Sequence, residues 1–213
     1  MVTRNEPAPP PAAPELPPGA LDRCRQHDPK GIEQLFVTYG PAIERIIGRL
    51  VGPTPDLEDL VQTAFLEALQ ALPRFRGEAS LKTWLTSIAV HVAQHHLRAG
   101  RVRRHVALEA VPEERIAPPP ADHAHRLDER RLATRLHALL DRITPPKRIA
   151  LLLFVVEGRP VEEVASLMGA SQTATRSRVF FAKREMRALL SKDPELRDLV
   201  EGTLGKRPGV DAG

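Results

Sequence analysis

Residues 160–183, PVEEVASLMGASQTATRSRVFFAK, bring together side chains that can read duplex DNA. Val161, Val164, Ala165 and Met168 recur at helical spacing and form one apolar stripe. Gly169 stands where a helix ends on a left-handed residue, and Ser171 where the next helix wants an N-cap. Thr175, Val179, Ala182, Met186 and Leu189 then share one inward face, leaving Arg176, Arg178, Lys183, Arg184 and Arg187 on outward or flanking faces. The small residues Ala165 and Gly169 allow the two helices to cross closely. This is the pattern of a helix-turn-helix, whose second helix enters a major groove. Arg and Gln pair with base edges there, and Thr touches thymine methyls. The plainer alternative is an amphipathic helix pair with a solvated basic face. The coincidence of small crossing residues, a glycine turn, and Gln172, Thr173 and cations on the second helix favours DNA.

Two upstream stretches hold further binding chemistry. Thr54 is expected to cap a helix that opens with Pro55, and Asp56, Glu58 and Asp59 suit its positive end. Leu57, Leu60, Val61, Ala64, Ala68 and Leu72 form its buried stripe, and Glu58, Asp59, Gln62, Glu67 and Gln70 its acidic, amide-rich outer face. Residues 73–79, PRFRGEA, make a basic-aromatic loop, and Ser80 caps another helix. That helix turns Leu81, Leu85, Ile88, Ala89 and Val92 to a core and is expected to end near Ala99 and Gly100. Trp84 is either a core residue at helical spacing from Ile88 or a stacking platform. His91 and His95 stand one turn apart with His96 beside them, a spacing that can bind a metal. A zinc site needs a third ligand and a supporting shell, and neither is evident. No metal is expected.

The surrounding elements follow from pattern and composition. The chain has 213 residues and a mild net charge of +4. That balance alone suggests polyanion affinity only weakly. A single cysteine, Cys24, rules out an intrachain disulfide and a Cys-rich zinc site. The N-terminus shows no apolar leader, and the apolar run 149–156 is too short to span a bilayer. A soluble cytoplasmic protein without membrane insertion is expected. Residues 1–19 read as a disordered Pro-rich tail. A helical domain covers 20–104, in which Leu35, Phe36, Tyr39, Ile43, Ile46, Ile47 and Leu50 keep helical spacing across a Gly40-Pro41 punctuation. Residues 105–126 lose periodicity, and IAPPPADHAH within them is a linker signature. A second helical domain covers 127–192. Leu132, Leu136, Leu139 and Leu140 form one of its stripes, and Ile149, Leu152, Leu153 and Val156 lie inside the helix opened by Pro145-Pro146. Residues 193–213 form a fraying tail. Strand patterning is nearly absent. The expected fold is all-α: two small helical domains joined by a flexible Pro-containing linker, the second a helix-turn-helix. No Gly-rich phosphate loop or nucleophile–base pairing stands out, so neither enzymatic activity nor a cofactor is expected.

Three stretches, residues 56–72 (DLEDLVQTAFLEALQAL), 75–98 (FRGEASLKTWLTSIAVHVAQHHLR) and 143–190, taken in this order, resemble the extracytoplasmic-function (group 4) sigma factors of bacterial RNA polymerase. The resemblance covers about residues 30–192 and omits both tails and most of the linker. It implies a two-domain initiation factor that binds core polymerase and directs promoter recognition. Residues 20–104 would correspond to region 2 and residues 127–192 to region 4. In the first, Glu58, Asp59 and Gln62 would dock on the β′ clamp helices. Arg74, Phe75, Arg76, Lys82, Trp84, His91 and Arg98 would melt and read the −10 element. In the second, Gln172, Thr173, Arg176, Ser177, Arg178 and Lys183 would read the −35 duplex, and the domain would contact the β flap. The family also implies an anti-sigma factor as partner. The chain departs from the family at His91, where Asn is usual, at His95, and at Phe181, where His or Arg is frequent. A free-standing helix-turn-helix transcriptional regulator is the alternative reading.

Overall fold

The computed structural model describes residues 15–107, 124–193 and 196. Within them every regular element is helical: α1 (Ala20–Arg25), α2 (Pro29–Val51), α3 (Leu57–Ala71), a short tight turn (Leu72–Arg74), α4 (Leu81–Ala107), α5 (Ala124–Leu140), α6 (Pro145–Val155), α7 (Val161–Leu167) and α8 (Gln172–Leu190). The all-α expectation holds. The expected Pro-rich tail, most of the linker and nearly all of the C-terminal tail lie outside the described residues.

Helix α2 begins where Asp28 accepts a hydrogen bond from the Lys30 N–H, with Pro29 at the first helical position. It runs unbroken through Gly40 and Pro41, which the sequence reading took as punctuation. A proline inside a helix costs roughly 3 kcal/mol. Each fully buried large apolar side chain contributes about 1.5–3 kcal/mol, and Leu35, Tyr39, Ile43, Ile46, Ile47 and Leu50 are all buried on one face of this helix. Burial on both sides of Pro41 therefore wins. The helix stops at Gly52, whose positive φ of 85° suits glycine.

Helix α3 starts at Leu57 with Asp56 in the cap position. Thr54, expected as the cap, instead accepts from the Asp56 N–H at 3.2 Å and closes the preceding turn. Ser80 does cap α4, accepting from the Thr83 N–H at 3.1 Å. Helix α4 does not end near Gly100 but continues to Ala107. A helix-interior glycine costs only about 1 kcal/mol, too little to end a helix by itself. In α6, Ile149, Leu152 and Leu153 are buried as expected, but Val156 is 51% exposed. It caps the helix rather than continuing its stripe.

Helices α1–α4 form one body and α5–α8 another, and the two are docked. Helix α4 packs on α2 and α3 on one side and on α6 and α7 on another, and α2 also meets α6. The central contact is Arg148 of α6, only 1% exposed. Its Nε donates to the Leu50 carbonyl at 3.0 Å and its Nη2 to the Val51 carbonyl at 2.7 Å. Nη1 pairs with Asp141, and Nη2 also lies 3.2 Å from His137 Nδ1. The guanidinium thus caps the negative end of α2. Arg49 adds an ion pair to Glu157 at 2.5 Å. At Gly52 an added Cβ would meet His137 Nδ1 at 2.5 Å, so the seam closes only over a glycine.

Burial first, then the Arg148 guanidinium, holds the His137 imidazole below its ordinary pKa of 6.5, with Asp141 opposing. The unfolded chain takes up this proton near pH 6.5, and the folded chain only at lower pH. The contribution of His137 is therefore full above about pH 6.5 and declines as pH falls through the folded value. The urea midpoint is expected to fall between about pH 7.5 and pH 5.5, and His137→Gln to flatten part of that fall. An unchanged slope in the variant would contradict this account.

Candidate nucleic-acid and polymerase interfaces

The turn between α7 and α8 is built as its residues require. Gly169 adopts φ 57°, and the Ala170 N–H donates to the Ala165 carbonyl at 2.9 Å. Ser171 Oγ accepts from the Ala174 N–H at 3.2 Å, and Thr175 Oγ1 donates to the Ser171 carbonyl at 3.0 Å. Thr175, Val179, Ala182 and Met186 are buried, which fixes the rotation of α8. Gln172, Thr173, Arg176 and Ser177 are exposed, and Arg178 is half-buried. The Arg176 guanidinium reaches Gln172 Oε1 at 3.5 Å and Glu162 at 3.6 Å, both on the surface.

Lys183 is placed differently from the rest. It is only 4% exposed, and its ammonium stands 5.3 Å from the centre of the Phe154 ring. Position 183 lies four residues after Val179 and three before Met186, so helical arithmetic puts it on the inner face. Its stem packs with the core while its charge rests on an aromatic face. The exposed cation beside it is Arg184. Phe180 and Phe181, 47% and 45% exposed, pack edge to face at 5.4 Å on the open side of α8. Lys147 sits 5.7 Å from the Phe181 ring and pairs with Glu185 at 2.5 Å.

On the first body, Glu58, Asp59 and Gln62 are exposed on α3. The sequence reading missed Leu66, 60% exposed one turn beyond Gln62. Its position outside the Leu60–Val61–Ala64–Ala68 stripe was the available signal. Nearby, Phe36 of α2 is exposed and packs against Phe65 at 4.9 Å.

The loop before α4 folds back on that helix. Phe75 and Trp84 pack at 4.9 Å with their planes 38° apart, and both are half-buried. Trp84 is thus neither a sealed core residue nor a free platform. Arg74, Arg76 and Lys82 are exposed around the pair, and Gly77 makes the turn with φ 76°. His91 and Arg98 are exposed farther along α4, about 10 and 21 Å from Trp84 at the helical rise. They line an open groove of about 530 Å³ between α3 and α4, with Leu60, Thr63, Glu67 and His95. His96 is half-buried, with Nδ1 3.9 Å from Asp56. Among the described residues, no three His, Cys, Asp or Glu side chains are grouped to hold a metal ion. Among them, too, no helix is long and apolar enough to cross a membrane.

Two separated stretches match known families: residues 35–103 match Sigma-70 region 2, and residues 133–186 match Sigma-70, region 4. The ECF RNA polymerase sigma-E factor of Escherichia coli K12 is 29% identical over 169 residues, covering 76% of this chain and 88% of that protein. The RNA polymerase sigma-H factor of Pseudomonas aeruginosa is 29% identical over 189 residues, covering 84% of this chain and 94% of that protein.

The chain belongs to the extracytoplasmic-function sigma factors. As a sigma factor it directs core RNA polymerase to promoters and initiates transcription there. The fold agrees with solved sigma-factor structures. The sigma factor RpoE of Bartonella quintana, solved with the anti-sigma factor NepR, is 26% identical with a TM-score of 0.55, covering 77% of this chain and 99% of that one. CnrH, solved with the cytosolic domain of CnrY, shares the fold at 21% identity and a TM-score of 0.54, covering 82% of this chain and 96% of that one.

The contact of Phe75 with the only tryptophan of this sigma factor gives a direct check. Phe75→Ala is expected to raise acrylamide quenching of Trp84 emission and to cost roughly 1 kcal/mol of stability. Unchanged quenching would mean that the two rings do not touch in solution.

Proposed function

We propose that the sigma factor divides its work between its two bodies along the line its exposed charges draw. The region 2 body, residues 20–104, engages core polymerase through Glu58, Asp59 and Gln62, with Leu66 as an apolar centre among them. Carboxylates and amides around an exposed leucine suit the cationic, partly apolar surface of the clamp helices. The same body holds and reads the −10 strand with Arg74, Phe75, Arg76, Lys82, Trp84, His91 and Arg98. Unstacked bases need aromatic faces, and their phosphates need cations.

The region 4 body, residues 127–192, reads the −35 duplex with Gln172, Thr173, Arg176, Ser177 and Arg178 and contacts the β flap. Arg184 takes the place first given to Lys183, because a lysine buried under Phe154 does not reach phosphate. Phe180 and Phe181 contact thymine methyls, the one apolar group a base edge presents in the major groove. The protein directs an enzyme and is not one itself, and it acts in the cytoplasm. The solved pairing of RpoE with the anti-sigma factor NepR supports an anti-sigma partner here as well.

One observation carries this reading: the acid-and-amide face of α3 and the Thr-Arg-Ser-Phe face of α8 are both exposed, on different bodies. The alternative, a free-standing helix-turn-helix regulator, leaves the region 2 match of residues 35–103 without a purpose.

The test is a holoenzyme reconstitution. Asp59→Arg is expected to weaken core binding at least tenfold, on the order of 1.4 kcal/mol, while leaving the −35 preference of the remaining holoenzyme intact. Arg176→Ala should cost about 1–3 kcal/mol in −35 affinity and relax the preference at one position. Holoenzyme on a selected promoter should also lose affinity when −35 thymines are replaced by uracil, and Phe181→Arg should abolish that dependence. Equal loss of core and promoter binding in every variant would overturn the division.

A further inference from the structure

We propose that the apolar patch of Phe36, Val37 and Leu66 is the docking surface for this chain's own proline-rich segment, residues 1–14, and that the segment competes there with core polymerase. The competition rests on the reading of α3 given above. The docking itself stands on the patch and on the point where the segment joins the fold.

Three large apolar side chains meet water on the outer side of α2 and α3. Val37 is 68% exposed, Leu66 60% and Phe36 46%. The Phe36 ring links them. It touches Phe65, the residue before Leu66, and it lies over Gly40, where a Cβ would stand 3.5 Å from the ring. A single exposed apolar residue needs no explanation, but an aromatic and two aliphatic side chains grouped across two helices mark a contact surface. Its rim is acidic and amide-bearing, with Glu33 and Glu44 on α2 and Glu58 and Gln62 on α3, all exposed.

The segment joins the fold beside this patch. Leu16 packs on the core, and its backbone interacts with the phenol of buried Tyr39, next to the Glu15 charge. Tyr39 follows Phe36 by three residues, about 4.5 Å along the axis of α2. Fourteen residues in a polyproline helix span up to about 43 Å at ~3.1 Å each. The patch is therefore well within reach of the segment.

The composition of the segment suits the surface. Its sequence, MVTRNEPAPPPAAP, holds two P-x-x-P repeats, Pro7 with Pro10 and Pro11 with Pro14. Prolines three apart share one edge of a polyproline helix. They dock on aromatic-lined surfaces at low entropic cost, because their φ is already fixed. The Phe36–Phe65 pair supplies the aromatic platform. Arg4 supplies a cation for the acidic rim. Polymerase and the segment both need Leu66, so one excludes the other. A tethered competitor acts at roughly millimolar effective concentration, and a weak contact is then enough to lower core affinity severalfold.

The experiment uses the full chain with the photo-cross-linker p-benzoylphenylalanine at position 37. Irradiation without polymerase or DNA, followed by peptide mass spectrometry, should capture residues 1–14 of the same chain. Capture of a second copy only, or no capture of residues 1–14, would overturn the proposal. Replacing Pro7, Pro9, Pro10, Pro11 and Pro14 together by Ser should lower the cross-link yield at least threefold, and an unchanged yield would refute recognition through proline. In a core-binding titration without the cross-linker, the serine variant should bind polymerase about three- to tenfold more tightly than the unaltered chain. Equal or weaker binding would refute the competition. If no form bound core polymerase, the functional reading would fail, while the cross-link would still decide whether the segment occupies the patch.

Discussion

Helix α4 is the constraint around which everything else is arranged. Four helices pack against it, α2 and α3 from one body and α6 and α7 from the other. Along its middle, residues 84–98, so much of its circumference is buried that one exposed strip remains, carrying His91, His95 and Arg98 and continuing to Val102. The surface available for a nucleic-acid strand is therefore what the packing leaves over. The same logic sets α8, where burial of Thr175, Val179, Ala182, Lys183 and Met186 leaves the Thr173, Ser177, Phe180 and Arg184 side open.

The seam shows how a buried charge can serve a contact between bodies. A guanidinium taken from water loses several kcal/mol of hydration unless its donors are satisfied. Arg148 meets this requirement with two backbone carbonyls, a carboxylate and a neutral imidazole. Such a contact has a sharp distance dependence, because parting the bodies exposes a charge and a helix end together. Apolar surface alone would part more gradually.

Much of this was legible in the sequence where local rules operate. Gly169 and Ser171 mark the turn, Ser80 marks the start of α4, and the stripes of α3 and α8 name their buried faces, because caps and periodicity act over a few residues. Local rules failed at two helix breakers. Pro41 does not interrupt α2, where burial on both sides outweighs it, and Gly100 does not end α4, where one glycine costs too little. For Lys183, position on the helix is a better guide than charge, since it falls on the inner face with Val179 and Met186. Leu66 lies among charged and amide residues outside the apolar stripe of α3, so periodicity assigns it no role. The role of Arg148 left no sequence signal at all. Its main acceptors are main-chain carbonyls nearly a hundred positions earlier, and a carbonyl has no residue type to recognise.

Gly52 carries a final implication for how this sequence can vary. The backbone there is left-handed, and the space where a side chain would begin is filled by the His137 ring. These positions, far apart in the chain, occupy one volume. In any descendant that keeps the docked arrangement, position 52 must stay glycine, because a smaller residue at 137 would clear the space without relieving the positive φ. Persistence of that glycine opposite a ring at 137 would then record, across lineages, whether the docked arrangement has been retained by selection.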